Sequence, residues 1–299
     1  MATEPPVNPL TQAQVDVLLT FEGFGRLDAP VWFLGMEEAG DNPQLLHTRA
    51  TWQSPVMDLK YAHVESLGIE KHHRANVASV VLQSTWRPMC VLMVLGDAPE
   101  LYVPNPANFS ELTHAERQPF LDQRQKLVEK VRLYQSTRLG RGGEQGQTLL
   151  CELLPIPKPA ENVYPFANVL PMWTDHYHYK ADVLPGRKEL LAHRLSEHRP
   201  EIVVAYGKAF WDDYRDLFPG TEFAGANEEQ CKQLPSWFPD GKAPDKKHSK
   251  ILFGQHGDRT LVVLTPHLTR VNDYARLAEL ASLLRHHRSQ LAGPPEALP

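Results

Sequence analysis

The sequence predicts an α/β fold, with a doubly wound, mainly parallel four-stranded sheet flanked by helices. Three observations predict it. Short apolar runs bounded by glycine or proline recur along the 299 residues; they are continuous rather than alternating; and helical patterns lie between them. Continuous apolar strands belong to sheets covered on both faces. Strands that alternate with helices build parallel α/β sheets.

The elements follow in order. "TQAQVDVLLTFEGF" has apolar residues at helical spacing and precedes the first strand, "APVWFLG" (29–35). "RPMCVLMVLGD" is ambiguous between helix and strand, and Pro88 at a first-turn position favours a buried helix. "THAERQPFLDQRQKLVEKVRLYQSTRLG" is a long helix with a glycine stop in "LGRGG", and the second strand, "TLLCELLPI" (148–156), follows it. "GRKELLAHRLSEHRP" is the helix before the third strand, "EIVVAYG" (201–207). "TLVVLTP" (260–266) is the fourth strand, and "LAELASLLRHHRS" closes the chain as an amphipathic helix with cations near its end. The reading is one domain over 1–299 with flexible, Pro-rich ends at 1–9 and 292–299.

With 42% hydrophobic residues the chain can bury a core. No apolar run approaches the roughly 20 residues of a membrane helix, and "MATEPPVNPL" has no basic start before an apolar segment, so a cytoplasmic protein is expected. Three separated cysteines cannot form a disulfide framework or a four-cysteine zinc or iron-sulfur site. The paired histidines (His72 and His73, His176 and His178, His286 and His287) lack a recognisable ligand spacing, so no metal and no other cofactor is expected. A net charge of −5 disfavours indiscriminate nucleic-acid binding. A local basic face remains in "GKAPDKKHSK", with Lys242, Lys246, Lys247 and Lys250.

In a doubly wound sheet, ligands sit beyond the carboxyl ends of the strands, which selects the loops at Gly35, around Ile156, at Gly207 and at Pro266. Two adjacent carboxylates, Glu37 and Glu38, occupy the first of these, in "GMEEAG". His267 stands in the last, in "TPHLTRVNDY". A carboxylate and a histidine at strand ends are an acid/base or electrostatic pair in waiting, although such a histidine is also an ordinary capping residue.

Together these loops resemble the uracil-DNA glycosylase superfamily. "GMEEAG" is similar to that family's Gly-Met-Asn-Pro-Gly motif, and "HLTR" stands where the family has His-Pro-Ser-Pro. "CELLPIPKP" and "EIVVAYGKAFWDDY" fit the intervening strands, so the resemblance runs from about Val31 to Tyr274 by order rather than by any one motif. It implies a base-flipping DNA glycosylase. Glu37 falls where the family's residue positions water and stabilises the sugar cation, with Glu38, in place of proline, as the alternative. His267 falls where the family's histidine donates to O2 of the flipped base. Leu268, Thr269, Arg270 and Val271 occupy the stretch that inserts into the duplex, and Lys246 and Lys247 are further DNA-binding candidates.

Base recognition falls to Met36 and to Glu152 or Asn168. Glu152 aligns with the asparagine that reads uracil. An ionised carboxylate only accepts hydrogen bonds, so it disfavours uracil O4 and suits the amino group of a cytosine-type base. Plain cytosine cannot be the target in a cell that keeps its own genome. The implied substrate is therefore a modified cytosine, such as the glucosylated hydroxymethylcytosine of phage DNA removed by a defence branch of the superfamily. Asn42, His47, Arg49, Trp52, Gln53 and Asp58 are candidates for a sugar pocket. If Asn168 in "YPFANVLPMW" is the reader instead, uracil returns as substrate. Two further readings stay open, a DNA-binding protein without catalysis and an N-glycosidase acting on free nucleosides. No lysine stands at a motif position for a Schiff base, Lys208 being the nearest, so the expected enzyme is monofunctional.

Overall fold

The computed structural model describes residues 8–36, 40, 42–159, 163–238, 250–271 and 273–291. Its strands are β1 (Gly23–Gly25), β2 (Val31–Gly35), β3 (Val56–Met57), β4 (Thr148–Glu152), β5 (Ile202–Tyr206), β6 (Ala224–Gly225), β7 (Leu252–His256) and β8 (Thr260–Thr265). Its helices are α1 (Gln12–Thr20), α2 (Pro43–Arg49), the single turn α3 (Leu59–Tyr61), α4 (Trp86–Asp97), α5 (His114–Thr137), α6 (His176–His198), α7 (Trp211–Arg215), α8 (Glu228–Gln233) and α9 (Tyr274–Leu291). The α/β class holds and all four predicted strands are present. The expected four mainly parallel strands are corrected to eight strands of mixed direction among the described residues. The added ones are short, glycine-containing or polar, and none shows the continuous apolar run that marks a buried strand.

Two compact units are formed. Unit 1 comprises Met1–Ile69, Gly140–Pro200 and Ala209–Pro219. Its strands run in the order β3, β1, β4, β2, with β2 parallel and β1 antiparallel to β4. The sequence "GFG" makes β1 because Gly23 and Gly25 adopt φ of +147° and +122°, and a Cβ at either would lie 2.1 Å from a carbonyl oxygen of β4. Only glycine allows that approach. Helix α6 starts well before the predicted segment, because Asp175 caps it by accepting from the N–H groups of Tyr177 (2.8 Å) and His178 (3.0 Å). Buried Glu22 receives the Arg194 guanidinium of α6 at 3.0 Å.

Unit 2 comprises Glu70–Leu139, Glu201–Lys208 and Gly220–Pro299. Its strands run in the order β5, β8, β7, β6, with β5 parallel and β7 antiparallel to β8. The apolar segment around Pro88 is helix α4, buried from Pro88 to Leu95 and packed against α5 and α9. Gln135 of α5, fully buried, donates to the carbonyls of His72 (3.2 Å) and Val81 (3.0 Å) and accepts from Gln83 N–H (3.0 Å). Among the described residues no helix is long and apolar enough to cross a membrane.

Candidate functional site

The carboxyl ends of β2 and β4 in unit 1 are built from the backbone upward. Parallel pairing sets Gly35 opposite Glu152. It continues past the strands, as Leu153 N–H donates to Gly35 O (2.9 Å) and Leu154 N–H to Met36 O (2.6 Å). At the other end of the first loop, Gly40 N–H donates to Lys158 O at 3.2 Å. The "GMEEAG" loop is thus tied at both described ends to the segment that carries Glu152. Met36 is buried and Glu152 half-buried. Glu37 and Glu38 lie outside the described residues, as do Lys242, Lys246 and Lys247.

Arg187 of α6 holds this edge. It is 3% exposed, and donates to the carbonyls of Glu152 (2.8 Å), Leu153 (3.3 Å) and Leu19 (3.2 Å). Burial lowers its pKa, an effect opposed by acidic neighbours that include Glu22 and Glu152. Burial also pushes the Cys151 thiol up to about 12, which removes it as a nucleophile. Beyond Pro157, buried Lys158 places its Nζ 3.0 Å from Nε2 of buried His176. Arg187, Lys158 and His176 were not singled out for this edge from the sequence. The only cue to Lys158 was its position in "LLPIPKP".

The other unit 1 candidates have defined places. Asn168 is exposed, in a turn between buried Phe166 and Val169. Asn42 caps α2 by accepting from Gln44 N–H at 2.9 Å. His47 is half-buried. Arg49 and Trp52 are both buried and come together in an aromatic cluster, the guanidinium carbon lying 5.4 Å from the Phe21 ring, 5.8 Å from Phe24 and 5.6 Å from Trp52. Gln53 is exposed, and Asp58 accepts from Arg141 at 2.8 Å.

In unit 2, Tyr206 and Thr265 end the parallel strands β5 and β8 opposite one another, and His267 follows. His267 is exposed, with its ring edge-to-face to Tyr206, centroids 5.6 Å apart. Its Nδ1 accepts from the Thr269 N–H (3.3 Å) and lies 2.8 Å from the Thr269 hydroxyl. Because a backbone N–H can only donate, the neutral imidazole carries its proton on Nε2. Partial burial and then the charge of Arg270 lower the His267 pKa, so the neutral form is favoured. The result is a neutral N–H donor at a strand end. Of the residues after it, Leu268 and Val271 are buried, Thr269 is half-buried and Arg270 is exposed.

Among the described residues no group of three or more His, Cys, Asp or Glu is placed to hold a metal ion. Comparison with protein-family models, curated proteins and solved structures finds no match.

Proposed function

We propose that the protein is a monofunctional DNA glycosylase that hydrolyses the N-glycosidic bond of a flipped, modified cytosine-type base, such as glucosylated hydroxymethylcytosine in phage DNA, and leaves an abasic site. The observation that carries the reading is the position of Glu152. It stands at the end of a core strand, paired in register with Gly35 at the start of the "GMEEAG" loop. The rival reader, Asn168, is on an exposed turn. The order of the motifs, as resemblance, supports a glycosylase-like arrangement of the fold.

Each residue has a role in the proposed chemistry. Glu152 accepts from the exocyclic amino group of the base, and uracil O4 in its place would meet a second acceptor at a cost of about 1–3 kcal/mol. As the bond between the sugar and the base breaks, its electron pair leaves with the base, and in the role that the resemblance gives to His267 its Nε2–H stabilises the charge on O2. A water oxygen bonds to the sugar carbon, and Glu37 or Glu38 takes the water proton and offsets the cationic sugar. Arg270, exposed beside His267, and the lysines of the 241–250 segment supply phosphate contacts.

The test is base release from matched DNAs containing uracil, plain cytosine or glucosylated hydroxymethylcytosine, by wild type and Glu37→Gln. Alkali-sensitive sites in the third DNA alone, lost in the variant, are expected. Cleavage of uracil DNA alone would transfer the reading role to Asn168. Absence of cleavage in all three would leave a DNA-binding protein, or an enzyme of free nucleosides.

A further inference from the structure

Unit 2 contains a cleft of about 440 Å³ between the Leu101–Asn105 segment, α5 and the start of α9. Sites for small ligands run from roughly 300 to 1,000 Å³, so it has room for one. Three rings line it, Tyr102, Phe120 and Tyr274, together with two groups of opposite charge, Arg124 and Asp273. The Arg124 guanidinium carbon stands 5.9 Å from the centre of the Tyr274 ring, and Arg124 forms no ion pair among the described residues. One oxygen of Asp273 caps α9 by accepting from Ala275 N–H at 2.9 Å, which leaves the other for a ligand. Burial, with the negative charges of Asp273 and Glu279, raises the Tyr102 pKa and keeps its hydroxyl a donor.

We propose that this cleft binds an unpaired nucleobase that carries both an exocyclic amino group and a ring carbonyl, that is, guanine or cytosine. Aromatic walls suit a flat ring, and every base has a face that stacks. Arg124 donates to the carbonyl oxygen and to an unprotonated ring nitrogen, N7 of guanine or N3 of cytosine, and Asp273 accepts from the amino group. Uracil and thymine lack the amino group, and adenine lacks the carbonyl. A simple anion is a poor fit, because it would meet Asp273 as well as Arg124. The inference rests on the glycosylase reading for its use, since flipping a cytosine-type base out of a duplex leaves its guanine partner unpaired.

The experiment titrates the full chain with GMP, CMP, AMP and UMP and follows backbone amide shifts. GMP and CMP should saturate at about tenfold lower concentration than AMP and UMP, as one well-made base contact requires. The preference should vanish in Arg124→Gln and in Asp273→Asn, the second of which keeps a helix cap because asparagine caps as well as aspartate. Equal binding of all four nucleotides, no binding, or equal competition by inorganic phosphate would overturn the inference. Base release measured in parallel keeps the two readings apart. Nucleotide preference without base release leaves the cleft standing and removes the glycosylase; base release without preference does the reverse.

Discussion

Tyr206 and His267 meet edge to face, with ring planes at 87°. Tyr206 ends one strand of a parallel pair and His267 follows the other, so the imidazole is oriented by the sheet as well as by Thr269. Partial burial favours the neutral ring, and the charge of Arg270 adds to it.

His267 should therefore titrate below the ordinary 6.5 when its ring protons are followed by NMR. Arg270→Gln should move the midpoint up. A group with a lowered folded pKa binds its proton more weakly than the unfolded chain does. Its contribution to stability is thus fully present above pH 6.5 and is lost as pH falls from there through the folded value. A midpoint at or above 6.5 would contradict the structure.

His267→Ala should reduce base release from the modified DNA by on the order of 10²–10³, the usual cost of one donor to a developing oxyanion. Binding of the same DNA should change far less. An equal loss in both would make His267 a DNA contact rather than a group at the leaving base.

Glu152→Gln tests specificity. A Gln amide can accept from N3–H and donate to O4 of uracil, which a carboxylate cannot. Uracil release should rise relative to modified-cytosine release by roughly tenfold or more. An unchanged ratio would remove Glu152 as the reader.

Arg187→Met should lower stability by about 3 kcal/mol or more in urea unfolding, because three carbonyls lose a charged donor and those left buried lose their partner. A change under about 1 kcal/mol would mean that solvent already serves those carbonyls.

Local pattern was enough to locate β2, β4, β5 and β8, since a buried strand must be apolar and its ends need Gly or Pro. It was also enough for α4, where Pro88 decided between helix and strand. What it missed depends on partners distant in the chain. "GFG" reads as a turn until β4 is beside it, and the early start of α6 hides behind Pro185 and a run of polar aromatic residues. The same holds at the candidate site. The strand-end positions of Glu152 and His267 were legible from the strands themselves. Arg187, whose carbonyl partner Leu153 lies 34 residues away, was not. Nor could a sequence window show that Leu268 and Val271 turn inward while Arg270 stays exposed.

The three cysteines offer a practical consequence. Cys151 is sealed in unit 1, and Cys90 and Cys231 in unit 2, all of them buried. Burial also holds the Cys90 and Cys151 thiols in their unreactive protonated form. A thiol reagent added to the native protein can react only during an opening event, so its rate at each sulfur counts excursions of that part of the chain. With single-cysteine variants, labelling kinetics become a clock for each unit separately, without introducing a new residue.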